Sequence, residues 1–119
     1  MTSDLHQTVI GQARELEEAG KGTEALAVLE PLVAAEIPDA MTLAGTLLYC
    51  GMGIEPDGVR AVALLSRAAE LGAGLAAHNL GTLLTTGAHG VAPDAQRAQQ
   101  YYALAKQLGC DLSKPGSAG

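Results

Sequence analysis

The chain is short, acidic and almost free of aromatic side chains. Its 119 residues include three Tyr but no Phe or Trp, and its formal net charge is −6, so the length predicts a single domain whose small core is filled mainly by Ala and Leu. The negative charge argues against nucleic acid as the main partner, because binding to phosphates requires a basic surface.

Apolar residues at helical spacing, interrupted by glycine and proline, predict six helices and no strand. The first begins at a cap provided by Ser3 or Asp4 and stops at Gly20. The second opens at Thr23 and ends before Pro38. The other four are marked by aspartate caps or glycine stops: the third from Asp39 to about Cys50, the fourth from Asp57 to Leu71, the fifth over about 74–86, and the sixth from Asp94 to near Gly109. The predicted fold class is all-α, with three antiparallel helix pairs.

A similar sequence pattern occurs twice in the chain. Residues 43–72 read LAGTLLYCGMGIEPDGVRAVALLSRAAELG, and residues 79–109 read NLGTLLTTGAHGVAPDAQRAQQYYALAKQLG. Matching residues lie 36 positions apart before one inserted residue and 37 apart after it, in the pairs Gly45 and Gly81, Gly51 and Gly87, Pro56 and Pro93, and Asp57 and Asp94. A repeat of this period predicts a stacked array of helical units, and such arrays usually work by presenting a surface.

In this repeat the chain resembles the Sel-one-like repeat (SLR) family, a relative of the tetratricopeptide repeats. The second unit matches the family motif at Ala40, Gly45, Gly51, Gly53, Ile54, Asp57, Arg60, Ala61, Arg67, Ala68, Ala69 and Gly72. The third unit matches it at Ala76, Leu80, Gly81, Gly87, Gly90, Val91, Asp94, Arg97, Ala98, Tyr101, Ala105 and Gly109. The chain departs from the motif at Leu48 and Leu84, where the family has Tyr, and at Leu64, where it has Trp. We expect these changes to weaken packing without altering the architecture.

The resemblance implies one helical-repeat domain over 1–110, built as a right-handed α-solenoid. Within it, 39–72 and 75–109 are SLR units, and the shorter pair at 4–36 resembles a tetratricopeptide unit. The remaining residues, 111–119, are predicted to form a flexible tail. Small side chains are expected where the two helices of a pair cross, at Gly45, Gly81, Ala61, Ala68, Ala98 and Ala105.

The sequence offers no convergent group of reactive side chains. His6, His78 and His89 fall in different elements, and no Cys or carboxylate stands at ligand spacing from any of them. The glycine-rich segment TGAHG lacks the lysine of a phosphate-binding loop and follows a helix instead of a strand. We therefore predict no metal, no cofactor and no enzymatic activity.

The cysteines and the N-terminus favour a cytoplasmic protein. Cys50 and Cys110 are expected at opposite edges of the array, beyond the roughly 7 Å between Cα atoms that a disulfide allows. The first twenty residues lack the basic and apolar regions of a signal peptide. No apolar run is long enough to span a bilayer, so no membrane association is expected. The Ala- and Gly-rich composition is typical of a GC-rich bacterium.

The resemblance also implies that the first helix of each pair lines a concave face that binds a protein or peptide partner. Alignment with the tetratricopeptide repeats places fifteen residues on this face: Gln7, Ile10, Arg14, Glu17, Glu18, Asp39, Thr42, Thr46, Tyr49, Cys50, Leu75, His78, Thr82, Thr85 and Thr86. Asn79 corresponds to an Asn that often binds a ligand backbone in tetratricopeptide grooves. The candidate partner-binding residues are Arg14, Thr42, Thr46, Tyr49, His78, Asn79, Thr82 and Thr85. The alternative is that Tyr49 and His78 only fill the groove between repeats.

A second candidate surface is the end of the array. Tyr101, Tyr102, Leu104 and Leu108 lie on the sixth helix, and an uncovered apolar end favours self-association as a homodimer. Alternatively, these side chains turn inward or are covered by 111–119. Residues 1–57 hold ten acidic and two basic side chains, against three and five in the rest. This imbalance reflects either solvated helix faces or a field that orients a basic partner or a head-to-tail neighbour.

Overall fold

A computed structural model describes the backbone of residues 2–110 and the side chains of residues 4–110. Over this range the chain forms six helices: α1 (Thr2–Glu18), α2 (Gly22–Ala34), α3 (Pro38–Cys50), α4 (Gly58–Glu70), α5 (Gly74–Thr86) and α6 (Ala95–Gln107). No strand occurs among these residues, which contain only one isolated bridge, between Ala88 and Val91. The predicted all-α class is confirmed. The predicted tail, 111–119, lies outside the described residues.

The helices stack as three consecutive hairpins. Helix α1 packs on α2, α3 on α4 and α5 on α6, and the hairpins join through α2 with α3 and α4 with α5. The odd-numbered helices also contact each other, α1 with α3 and α3 with α5. These helices therefore share one face, the concave face. In the described part of the chain, no helix has the length and apolarity needed to cross a membrane.

The core is made of leucine layers separated by residues with little or no side chain. The largest fully buried side chains are all Leu: Leu29, Leu47, Leu65, Leu80, Leu83 and Leu84. A Cβ atom added to Gly45 would lie 2.8 Å from Cγ of Leu65, and one added to Gly81 would lie 2.8 Å from the Tyr102 ring. The small residues expected at the helix crossings are confirmed, because any larger side chain would force the paired helices apart.

The ends of α4 and α6 confirm the predicted caps and stops. The side chain of Asp57 accepts a hydrogen bond from the Arg60 amide at 3.0 Å, and Asp94 accepts one from the Arg97 amide at 3.1 Å. Each bond satisfies a first-turn N–H that has no partner inside its helix. Beyond the other end of α4, Gly72 adopts φ +97°, the left-handed conformation that glycine reaches without strain.

The predicted cap of α3 is wrong. Helix α3 begins at Pro38, with Ile37 in the capping position, and Asp39 lies inside the first turn. A proline has no N–H to donate and its fixed φ suits the first helical position, so the helix starts two residues earlier than an Asp39 cap would allow. The Asp39 carboxylate instead accepts a weak hydrogen bond from the amide of Gln7, at 3.4 Å.

The predicted starts of α1 and α2 are also displaced. Ser3 and Asp4 lie within the first turn of α1 and do not precede it. Helix α2 begins at Gly22, one residue before Thr23. Both the amide and the hydroxyl of Thr23 donate to the carbonyl oxygen of Gly53, each at 3.1 Å. The first turn of α2 is therefore capped by a loop from the following unit and not by a neighbouring side chain. The sequence around Thr23 does not indicate this long-range contact.

Candidate partner-binding groove

A cleft of about 420 Å³ opens on the concave face where α1, α3 and the beginning of α5 meet. Its lining combines three charged side chains with neutral polar and apolar ones: Arg14, Glu17, Asp39, Thr42, Leu43, Thr46, Gly72, Ala73, Gly74, Leu75 and Asn79. Four of the eight predicted partner-binding residues line it, namely Arg14, Thr42, Thr46 and Asn79. The other four lie elsewhere on α3 and α5.

Asn79 is held across the cleft floor by its neighbour on α3. Its side-chain N–H donates to the hydroxyl oxygen of Thr46 at 3.1 Å, and that hydroxyl in turn donates to the carbonyl of Thr42 at 2.8 Å. Within the described residues the Asn79 side chain makes no further hydrogen bond, which leaves its carbonyl oxygen and second N–H for other groups. A fixed amide with one free donor and one free acceptor matches the pattern of an extended peptide backbone.

Tyr49 and Thr85 lie towards the other end of the concave face. The Tyr49 hydroxyl is 2.9 Å from the hydroxyl of Thr86, a bond that joins the end of α3 to the end of α5. Thr85 is exposed, and its hydroxyl donates to the carbonyl of Gly81 at 2.8 Å. The half-buried Tyr49 ring therefore connects two repeats, in addition to presenting part of its surface to solvent.

His78 and Thr82 contact a residue that we expected at the array end. The Tyr102 ring lies 5.2 Å from the imidazole of His78, centroid to centroid, and its hydroxyl is 3.1 Å from that of Thr82. Tyr102 thus reaches from α6 through the space left by Gly81 to the concave face. The missing Cβ at Gly81 was the sequence signal for this contact, but it did not specify which side chain would fill the gap.

Two further placements differ from the sequence-based expectation. Ile10 is 2% exposed and belongs to the core, not to the concave surface. The turn at 72–74, which was not expected in the groove, forms part of the cleft wall. No feature of the turn's own sequence indicates this, because its approach to α1 depends on the curvature of the whole array.

The charged side chains of the cleft come from α1 and the first turn of α3. They are Arg14 and Glu17 on α1 and Asp39 on α3, whereas the lining contributed by 72–79 is uncharged. Desolvation, together with the nearby charge of Glu17, raises the pKa of the Cys50 thiol at the end of α3.

The described residues contain no group of three or more His, Cys, Asp and Glu side chains placed to hold a metal ion. Cys50 and Cys110 are both free thiols. The cleft lining contains no Cys, Ser or His side chain.

At the array end, little of the predicted apolar surface is exposed. Tyr101, Tyr102 and Leu104 are half-buried against the core, and Leu108 is 38% exposed. Polar residues of α6 are exposed instead, among them Gln96, Gln99, Gln100, Lys106 and Gln107. Of the four residues predicted for self-association, Leu108 is the one with an exposed side chain, and the use of this surface stays a prediction.

Comparison with known proteins agrees with the fold. The chain is similar to a solved Sel1 repeat protein from Oxalobacter formigenes, with a TM-score of 0.68 and 26% sequence identity. The match covers 87% of this chain and 43% of the other, so the chain spans less than half the length of that relative. A comparison with curated proteins finds no match.

A model of the family described as Sel1 repeat matches residues 38–72 and 74–110. These ranges are the two hairpins α3–α4 and α5–α6, and they agree within one residue with the predicted units. The pair α1–α2 lies outside them, and its tetratricopeptide-like character stays a prediction. Sel1 repeats generally mediate protein–protein interaction. Because the two matches cover more than half of the sequence, the chain belongs to the Sel1 repeat family.

Proposed function

We propose that the chain is a non-catalytic adaptor or scaffold that holds a peptide segment of a partner protein in its concave groove. The observation that carries this proposal is the cleft where α1, α3 and α5 meet, with Asn79 fixed by Thr46 on its floor. A segment lying there would gain hydrogen bonds from an amide that is already in place, so little side-chain entropy would be lost on binding.

The rest of the concave face extends this surface without offering reactive chemistry. Its hydroxyls are mostly bonded to backbone carbonyls of their own helices, as for Thr82 and Thr85. A hydroxyl that donates in this way keeps its oxygen lone pairs as acceptors, and the exposed Thr85 would offer them to a bound chain. We infer further that the partner is met in the cytoplasm, where an exposed thiol such as Cys50 stays reduced.

The test is capture of a partner by the immobilised chain, followed by identification of the bound protein by mass spectrometry and measurement of its affinity. The variants Asn79→Ala and Thr46→Val are expected to weaken that affinity by about tenfold, the effect of about 1.4 kcal/mol. Gln99→Ala, on the exposed side of α6, is the matched control and should leave it unchanged. Thermal unfolding of each variant shows that the fold is retained.

Affinity that survives both groove variants would refute the proposal. The alternative, a structural module that self-associates through the array end, is favoured only by the exposure of Leu108. Sedimentation at high concentration separates the two. A homodimer abolished by Leu108→Ser, with no effect of Asn79→Ala, would replace the groove with the end of α6.

A further inference from the structure

We propose that the groove selects a segment with a Lys or Arg next to an apolar residue. The basic side chain would lie against α1 and the start of α3, and the apolar side chain against the start of α5. This inference rests on the proposed function, because it specifies the chemistry of the partner that the same groove receives.

The cleft lining carries two carboxylates, Glu17 on α1 and Asp39 in the first turn of α3. The ion pairs of the described residues employ Glu30, Glu36 and Glu70 on other surfaces. Glu17 takes part in none of them, and Asp39 is contacted by the neutral amide of Gln7. A cation that binds near Glu17 or near Asp39 would therefore meet a carboxylate that is not already in an ion pair.

Arg14 is the one basic side chain that lines the cleft, and it opposes this preference. Two carboxylates against one guanidinium still leave a net negative wall. The excess of acidic residues over 1–57 adds a weaker long-range attraction for a basic segment.

The cleft lining also includes apolar side chains. Leu75 is 46% exposed at the first turn of α5, and Ala73 and the buried Leu43 line the same cleft. No charged side chain is contributed to the cleft by 72–79. An apolar side chain of a partner would bury Leu75, and burial of apolar surface on both sides favours binding.

Asn79 also lines the cleft, and its free amide groups would hold the backbone of the segment. A carboxylate in place of the partner's cation would meet Glu17 or Asp39, and that contact would be unfavourable.

The experiment uses the full chain, labelled with ¹⁵N, and three soluble peptides. Each peptide contains two copies of a dipeptide spaced by glycine: Lys-Leu in the first, Gln-Leu in the second and Glu-Leu in the third. We expect the Lys-Leu peptide to shift the amide signals of Gly72, Gly74 and Asn79 at the lowest concentration, and the Glu-Leu peptide at the highest.

Charge variants sharpen the test at low salt. Glu17→Gln combined with Asp39→Asn should weaken binding of the Lys-Leu peptide by about fivefold, since exposed charge pairs contribute up to about 1 kcal/mol each. Arg14→Gln should strengthen it by about twofold on the same basis. Glu24→Gln, which removes an exposed carboxylate on α2 far from the lining, is the matched control and should change nothing.

The outcomes separate the two proposals. If the Gln-Leu or Glu-Leu peptide shifts the groove signals at the same concentration as the Lys-Leu peptide, the preference for a basic segment is wrong and the peptide groove stands. If no peptide shifts these signals, or all shifts map to α6, the inference and the proposed function are both overturned.

Discussion

The loops that join α3 to α4 and α5 to α6 reach equivalent positions through different conformations. Each loop folds back on the preceding hairpin and presents a backbone carbonyl to the first turn of an even-numbered helix. Gly53 accepts from the amide of Thr23 at 3.1 Å, and His89 accepts from the amide of Gly58 at 2.9 Å. Both bonds satisfy N–H groups that have no partner within their own helix.

The path to that carbonyl differs. The second loop has one residue more, and it closes a small hairpin in which Ala88 and Val91 exchange backbone hydrogen bonds of 3.0 and 2.8 Å. The first loop lies flat on the α1–α2 turn instead, so closely that a Cβ on Gly53 would lie 1.9 Å from the carbonyl oxygen of Gly20. The inserted residue changes only the conformation of the second loop. Each loop still brings a backbone carbonyl to the first turn of the preceding even-numbered helix, so the stacking of the hairpins depends on the position of that carbonyl and not on the conformation of the loop.

The helix that receives a loop must also leave room for it. A Cβ on Gly22 would lie 2.2 Å from the carbonyl oxygen of Met52, and one on Gly58 would lie 2.4 Å from that of His89. At the equivalent position of α6 the chain has Ala95, which is exposed. Among the described residues no loop covers the first turn of α6. Glycine therefore occurs at this position where a loop approaches, and alanine where none does.

The largest expected effect comes from comparing Gly53→Ala with Gly90→Ala. Both glycines have positive φ, +70° and +83°, and we expect about 1–2 kcal/mol of backbone strain from either substitution. Only Gly53 also faces a backbone carbonyl at 1.9 Å, so its total loss should reach about 3–4 kcal/mol once overpacking is added. At Gly90 the nearest atom, 3.2 Å away, is a methyl group of Val59, which can move.

Urea unfolding of the two variants measures this difference, provided that both keep the slope of the parent protein. Equal losses of stability would mean that the close approach of the first loop to the α1–α2 turn adds nothing to the cost of Gly53→Ala.

The next prediction concerns the docking of the second loop. Gly58→Ala should destabilise the protein by about 2 kcal/mol, because the added methyl group forces the His89 carbonyl away and lengthens its bond to the helix. Gly11→Ala is the matched control, since a Cβ there meets nothing within 4 Å. It should stabilise the helix by about 0.5–1 kcal/mol. Thermal unfolding of both variants tests the pair, and destabilisation of similar size at Gly11 would contradict it.

Features that depend on neighbours a few positions away could be predicted from the sequence. The six helices, the caps at Asp57 and Asp94 and the stop at Gly72 are of this kind, since each depends on one turn of the chain. The cap of α3 was predicted two residues late, because Pro38 was taken as the end of one helix when it is the start of the next. A proline fits both roles, and only the structure distinguishes them.

The composition of the groove was predictable only in part. Thr46 and Asn79 were placed on the concave face by their register in the repeat. Three other features depend on how far one hairpin is rotated against the next. They are the burial of Ile10, the contact of Tyr102 with α5 and the position of the turn at 72–74 in the cleft wall. That rotation is set by packing throughout the array, and no single segment specifies it.

A smaller effect tests whether the two Sel1 units are capped alike. Asp57→Ala and Asp94→Ala should each cost about 1 kcal/mol, the usual contribution of a side-chain cap. The loss of stability in the double variant should equal the sum of the two single losses, because the two sites have no partner in common. Asp39→Ala is the control, since Asp39 makes no cap bond, and it should change stability by only a few tenths of a kcal/mol. A cost at Asp39 equal to that at Asp57 would show that helix electrostatics, and not the hydrogen bond, is responsible.

The smallest effect concerns an ion pair that joins the first hairpin to the second and has no counterpart further along. Arg67 of α4 binds Glu36 through two of its nitrogens, whereas the equivalent residue of α6 is Leu104. The hydrogen bond from Arg67 lowers the pKa of Glu36. Both side chains are exposed, so the pair's contribution to stability is small and is weakened by salt.

The sign of its pH dependence is definite. A carboxyl group whose pKa is lowered by folding stabilises the protein fully above its ordinary pKa of 4.5 and loses that contribution as the pH falls through the lowered value. The difference in unfolding free energy between the parent and Arg67→Gln should therefore shrink below pH 4.5. Carbon-detected NMR titration should show the pKa of Glu36 rising in Arg67→Gln and staying unchanged in Arg97→Gln. A stability difference that persists at low pH would mean that Arg67 acts by packing its aliphatic stem between the hairpins, and the contrast with Leu104 would then be one of shape and not of charge.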